Sequence, residues 1–250
     1  MVIGLLVLWQ SIVWIFQLPS YILPTPWQVL QIGYQQFPLI MHESFITIIE
    51  TLIGLVLGSV FGCMAALVMV FFRPLALWLF PIVVISQTIP TFAIAPLLVI
   101  WFGYGIASKI ATTIIMLFFP VTSAFFDGLH QTPAAWIDLA NTMGAKKWRF
   151  FYYIRIPAAL PYLASGLRIA TVIAPIGAIV GEWVGASQGL GFLMLNANAR
   201  MEIDLMFAAL FTLMLFSLSL YFLVDSLLQS AIPWQKATSF NAHSGSIHKP

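Results

Sequence analysis

Few residues of this chain could do chemistry, and their spacing excludes most kinds of it. Eight acidic, ten basic and four histidine residues are spread over 250 positions. His42, His130, His243 and His248 are scattered, and no H-E-x-x-H sets two imidazoles one turn apart for a metal. No G-x-x-x-x-G-K-[ST] offers backbone amides to a nucleotide's phosphates. Cys63 is the single cysteine and stands in an apolar run, so it reads as a small buried hydrophobe without a disulfide partner. The polar groups that remain lie inside oily stretches. Glu182 occurs in GEWVGASQGLGF, Glu50 and Asp225 stand near the ends of hydrophobic runs, and Gln87 and Thr88 precede Pro90 and Pro96 in SQTIPTFAIAP. Such groups are costly in lipid and mark pathways for ions or polar solutes. A polar cap at the membrane boundary is the other reading of Glu182.

A second concentration of function lies in residues 127–168, DGLHQTPAAWIDLANTMGAKKWRFFYYIRIPAALPYLASGLR. Five of the ten basic residues gather there: Lys146, Lys147, Arg149, Arg155 and Arg168. Positive charge resists translocation, so this loop is expected in the cytosol. Residues 134–143 read as a short helix closed by Gly144 in the left-handed conformation. Residues 145–153 read as a second helix, basic and aromatic, stopped before Pro157. A loop needed only to join two spans could be far shorter, so this one is expected to dock a partner.

Composition sets the elements that must position these groups. The chain is 61% hydrophobic and 7% charged, with mean hydropathy +1.00, whereas average soluble domains carry about 25% charged residues. Its apolar runs are long and unbroken, unlike the alternating segments of a β-barrel. The expected class is an all-α integral membrane protein with six spans, at 2–18, 44–72, 75–102, 107–127, 159–181 and 205–228. Residues 128–158 form the basic loop, residues 1–232 a single domain, and residues 233–250 a disordered tail. The first run lacks the basic lead and cleavage site of a signal peptide, and the missing charged lead leaves the true start in question. Pro19, Pro24 and Pro26 make ILPTP an extended connector, and residues 20–42, without Lys or Arg, belong outside. Gly54, Gly58 and Gly62 lie four apart on one helix face, a seat for close packing within the chain in preference to a dimer seam. Pro90 and Pro96 break the third span in mid-membrane, either as a plain kink or as backbone lining a cavity. GYG and Lys109 form a short outer loop, Pro120 kinks the fourth span, and GEWVGASQGLGF makes a short helix and loop in the outer half of the membrane. With both ends inside, Arg73, the basic loop, Lys236 and Lys249 are cytosolic, and only Lys109 and Arg200 remain outside. A pore without an energy source of its own needs a partner that drives it; an ion-coupled carrier acting alone is the rival class.

Asp138-Leu139-Ala140, three residues, Gly144, nine residues and Ile154-Arg155-Ile156-Pro157 follow one another in the loop. The pattern resembles the E-A-A, G, I-x-L-P signature of permease subunits of binding-protein-dependent ABC importers, with Asp for Glu, Leu for the first Ala, and Ile for Leu. ILPTPWQVL, QTIPTFAIAPLLVIWFGYG and GEWVGASQGLGF look like the nitrate, sulfonate, taurine and pyrimidine-precursor branch over nearly the full length. That branch often has Arg where this chain has Glu50. FFPVTSAFFDGL is most similar to permeases for hydroxymethylpyrimidine, the thiamine precursor. The resemblance implies a type I ABC importer permease fold with a cytosolic coupling-helix loop. It implies that Asp138, Leu139, Ala140, Gly144, Ala145, Lys146, Lys147, Trp148, Ile154, Ile156 and Pro157 couple the chain to an ATPase subunit. Gln87, Thr88, Pro90, Pro96 and Glu182 are the expected pathway residues. Further expectations are a periplasmic or lipid-anchored binding protein, a permease homodimer in lipid, no nucleic acid, ATP-Mg only on the partner, no catalysis by this chain, and both termini on the cytosolic side of a bacterial inner membrane. The expected solute is hydroxymethylpyrimidine, with sulfonate, taurine or nitrate as alternatives.

Overall fold

The computed structural model describes residues 2–234; the expected tail, with Lys236, His243, His248 and Lys249, lies outside the described residues. Long apolar runs can satisfy their backbone groups in lipid only as helices or closed barrels, and this chain uses helices. They are α1 (Val2–Ile15), α2 (Pro26–Gln35), α3 (Phe37–Phe71), α4 (Arg73–Thr88), α5 (Thr91–Phe102), α6 (Ile106–His130), α7 (Ala134–Thr142), α8 (Lys147–Phe150), α9 (Ile156–Gly185), α10 (Leu190–Ala199) and α11 (Ile203–Ala231).

Four helical stretches are long and apolar enough to cross a bilayer: α3, α6, the run from Lys147 to Gly185, and α11. The pair α4 and α5, bent by 106°, is either a fifth, broken span or a re-entrant loop. With 14 residues, α1 is about 21 Å long, short of the roughly 30 Å hydrocarbon thickness. The described residues thus offer four spans, or five if α4 and α5 count as one, where six were expected; α7 and α8 lie at one end of the bundle and α10, packed on α3, α9 and α11, at the other.

Helix α6 is the centre of the bundle. Its Thr113, Leu117 and Val121 lie against Gly54, Gly58 and Gly62 of α3, so the two helices run parallel. On its other side Lys109 and Thr113 meet Gly181 and Gly177 of α9, which runs antiparallel. The small-residue ladder thus serves packing within the chain, as its spacing predicts. A Cβ at Gly54 would lie 2.5 Å from the Thr113 methyl, and overpacking of this kind costs about 1–3 kcal/mol. Gly54→Leu is expected to lower the temperature at which the detergent-solubilised protein loses monodispersity. Gly4→Leu, with nothing within 4 Å of its Cβ, is the control that should leave it unchanged.

Three local expectations change. The extended connector ILPTP ends at Thr25, which forms a capping box with Gln28; Pro26 fits the first turn of α2, and α3 begins at Phe37 rather than 44. The break in the third span is at Pro90 alone, which stands as the N-cap of α5 with φ −57° and ψ 120°, while Pro96 is carried inside α5. Third, the helix after Gly144 does not stop before Pro157. It passes through a π turn, Phe151–Arg155, into α9. Proline lacks an amide and crowds the carbonyl four residues back, and the wider π turn accommodates both defects.

Candidate functional site

Two groups of residues stand out, one at each end of the bundle. At the first end α7 closes on Gly144, whose φ is +66°. The Gly144 amide donates to the Asn141 carbonyl at 3.0 Å and the Ala145 amide to the Ala140 carbonyl at 2.9 Å. This is a Schellman motif, and a left-handed residue is what it requires. The chain then enters α8 with Lys146 as its N-cap. Phe71, at the end of α3, packs on Phe151 with ring centroids 4.5 Å apart and on Trp148 at 6.4 Å. The Arg155 Nε donates to the Leu129 carbonyl. The hairpin is therefore anchored on α3 and α6.

All the residues that the signature singled out fall on this hairpin and the turn beneath it. Asp138, Leu139, Gly144, Ala145, Lys146, Lys147 and Trp148 are exposed, Ala140 is buried, and Ile154, Ile156 and Pro157 are half-buried. Leu139, Met143 and Trp148 are 60%, 78% and 67% exposed. Apolar side chains held out beside lysines form a surface that a partner can cover.

At the opposite end a polar cluster is sealed between α3, α6, α9 and α10. The amides at the start of α10 have no intrahelical acceptor. Side chains supply them: Glu43 accepts from Gly189, the Thr47 hydroxyl from Leu190 at 2.8 Å, and Glu182 from Gly191. Thr47 in turn donates to Glu182 at 2.6 Å. Glu182 is 1% exposed and clasps α10 to α3. Each such hydrogen bond contributes about 0.5–1.5 kcal/mol net. Glu182→Ala is accordingly expected to loosen α10 and speed tryptic cleavage after the exposed Arg200, with Glu182→Gln recovering most of the protection.

One turn beyond Thr47, Glu50 receives the Lys109 ammonium at 2.6 Å. Glu50 is 1% exposed and Lys109 5%. Lys109 was expected in an outer loop and Glu50 near a helix end; both are interior. The cause is helix phase. Glu50, Gly54, Gly58 and Gly62 are four apart and share the ladder face, and Lys109 shares a face with Thr113 and Leu117. Extending the glycine ladder one step back would have placed Glu50 on the packed face, without naming its partner. Elsewhere, Arg168 reaches Asp225 at 2.6 Å and ties α9 to α11.

Gln87 and Thr88 sit apart from this cluster, at the bend after α4. Gln87 donates to the Met116 carbonyl at 3.3 Å and Thr88 to the Ile85 carbonyl at 2.9 Å, and both are exposed. Among the described residues no hydrogen bond joins them to Glu182, whose partners are Thr47 and Gly191. No three His, Cys, Asp or Glu side chains of the described residues gather as a metal site would need.

Crossing helices packed around α6, with a capped basic hairpin held out at one end, define a polytopic membrane protein. Residues 58–232 match the family described as binding-protein-dependent transport system inner membrane component, and the chain belongs to that family. A probable ABC transporter permease protein of Haemophilus influenzae is 52% identical over 91% of this chain and 93% of the relative. The formylaminopyrimidine transport permease protein ThiX of Halalkalibacterium halodurans is 37% identical over 93% of each. The riboflavin transport system permease protein RibX of Chloroflexus aurantiacus is 33% identical over 92% of this chain and 87% of the relative. Among solved structures, an amino acid ABC transporter covers 80% of this chain and 96% of its own, with TM-score 0.64 and 16% identity. The inward-facing MetNI methionine ABC transporter gives 0.60 at 19% identity, over 80% of this chain and 97% of its own. The protein is a permease component of an ABC importer, of a multi-pass inner-membrane family that works with an ATPase and a substrate-binding protein.

Proposed function

We propose that this permease carries a thiamine-precursor pyrimidine, hydroxymethylpyrimidine or its formylamino relative, from a periplasmic or lipid-anchored binding protein into the cytosol. The observation that carries the coupling half of this reading is the Schellman-capped hairpin, whose lysines and apolar side chains are free to enter a groove of the ATPase. Full-length likeness to a formylaminopyrimidine permease supports the solute. In this reading two copies of the chain form the pore, the short α1 crosses as a further span so that both termini and the hairpin face the cytosol, and ATP-Mg binds and is hydrolysed only on the ATPase subunits. This chain holds no cofactor. Gln87, Thr88 and Pro90 at the bend, Pro96 within α5, and Glu182 beyond them border the route.

The test is uptake of labelled hydroxymethylpyrimidine into proteoliposomes containing permease, ATPase and binding protein. ATP-dependent uptake is expected, and uptake of taurine instead would move the solute to the sulfonate branch, where relatives are 28% and 26% identical. Uptake by the permease alone would favour an ion-coupled carrier. Replacing Lys146 and Lys147 by Glu is expected to release the ATPase from the solubilised complex as ionic strength rises, since exposed charge pairs are screened by salt. Equal retention of the ATPase would remove these lysines from the interface. Thiols placed at Gln87 and Thr88 should change their labelling rate with solute or nucleotide; rates that ignore both would leave these residues with packing alone.

A further inference from the structure

In the polar cluster at the α10 end, the count of donors and acceptors does not close. Lys109 donates to Glu50 Oε1 at 2.6 Å, Thr47 donates to Glu182 Oε1 at 2.6 Å, and the Gly191 amide donates to Glu182 Oε2. Glu50 Oε2 is buried and receives no donor from those groups. What lies against it is the Glu182 carboxyl, within hydrogen-bond reach. Two carboxylates in contact repel each other, and a buried acceptor without a donor is destabilising. Glu50 and Lys109 also border a cavity of 540 Å³ with Ser187 and Gln188, yet Oε2 is closed off from it. Gly189 and Gly191 pack directly on the Glu182 carboxyl, and a Cβ at Gly191 would lie 2.8 Å from its Oε2. Glycine backbone, in place of solvent, covers that side of the pair.

The charge count has the same gap. Around this pair α3 supplies Glu43, Thr47 and Glu50, α6 supplies Lys109, α9 supplies Glu182, and α10 carries no titratable residue. Glu43 is served separately, by the Gly189 amide and by His42 at 3.5 Å. One ammonium balances one carboxylate, and Glu50 holds it. A second charge on Glu182, 1% exposed, would be buried without a counter-ion, which is strongly disfavoured. We propose that Glu50 and Glu182 form a proton-binding site, in which the Glu182 O–H donates to Glu50 Oε2 while Glu50 remains the carboxylate held by Lys109. A carboxylic acid keeps acceptor capacity on its oxygens, so the bonds from Thr47 and Gly191 are retained. The proton thus sits on the clasp between α3 and α10. Its removal sets two carboxylates against each other and loosens α10. The site depends neither on the solute nor on the ATPase assigned above.

A protonated carboxyl has a C=O stretch, distinct from the amide and carboxylate bands, that shifts in D2O. Infrared difference spectra of the assembled transporter in proteoliposomes, at neutral pH, compare the wild type with Glu182→Gln and with Glu50→Gln. The wild type is expected to show that band and each variant to lack it. Glu182→Gln removes the acid, and Glu50→Gln leaves Lys109 to hold Glu182 as a carboxylate. Stability is the second readout. The folded pair keeps a proton that the unfolded chain, whose glutamates ionise near about pH 4.3, has lost at neutral pH. The folded state then binds one proton more, and stability falls as pH rises. Relative to Glu182→Gln, the SDS unfolding constant of the wild type is expected to rise about tenfold per pH unit until the pair gives up its proton. The variant, with an amide N–H in place of the O–H, should show no such slope. Absence of the band from the wild type, or stability that follows sodium or potassium concentration in place of pH, overturns the proton site. A band that survives both substitutions belongs to another carboxyl and overturns it too. Should neither variant assemble, the wild-type slope decides: stability that is flat above neutral pH overturns the site.

Discussion

Lys109→Met is expected to destabilise the permease by about 3–5 kcal/mol, because it leaves Glu50 charged and unpaired in the interior. Glu50 is 1% exposed, so water cannot replace the lost ammonium. The same reasoning predicts a contrast. In the double variant Lys109→Met, Glu50→Leu both charges are gone, and replacement of a buried pair by well-packed apolar groups is often neutral or stabilising. The double variant should regain most of the wild-type resistance to heat or to SDS titration. A double variant that is stable and still transports would reduce Glu50 and Lys109 to packing.

Gly144→Val is expected to uncouple transport from hydrolysis. A β-branched residue at φ +66° costs about 1–2 kcal/mol in the left-handed region, and the Schellman hydrogen bonds on Asn141 and Ala140 depend on that conformation. Nothing lies within 4 Å of a Cβ at this position, so the effect comes from the backbone and not from a clash. At 1.4 kcal/mol per decade, the docking-competent hairpin becomes about tenfold rarer. Uptake should fall by that factor while the assembled ATPase retains its basal hydrolysis and loses stimulation by loaded binding protein. Gly144→Asn, which tolerates the left-handed conformation better, should retain more uptake than Gly144→Val. Equal transport by all three proteins would mean that the turn at Gly144 does not carry the coupling.

The hairpin was legible because its signals are local. A glycine after a short periodic run, lysines beyond it and a proline farther on specify a cap, a second helix and a boundary within a few residues. Even there the end of the second helix was misread at Pro157, since a π turn that accommodates a proline leaves no mark in composition. The glycine ladder on α3 was legible for the same reason, a fixed spacing on one face. The ion pair was not. Lys109 follows GYG, which reads as a turn, and Glu50 lies 59 positions away; only the three-helix packing around α6 brings them within 2.6 Å. Thr25 and Gln28 did carry a capping signal for α2, obscured by the surrounding prolines. The clasp on α10 depends on Glu43, Thr47 and Glu182 from two distant helices, and no motif joins those positions.

The unbroken run from Lys147 to Gly185 has a mechanical consequence. It spans 39 residues, about 58 Å along its axis, and one lever therefore has Trp148 near one tip and Gly185 at the other. Pro161 and Pro175 sit within it, and a π turn interrupts its base. A push on the hairpin need not be relayed through side chains; tilting this single rod about α6 would move Gly185 and the adjoining loop, and so widen or narrow the 540 Å³ cavity that Gly185, Ser187 and Gln188 border.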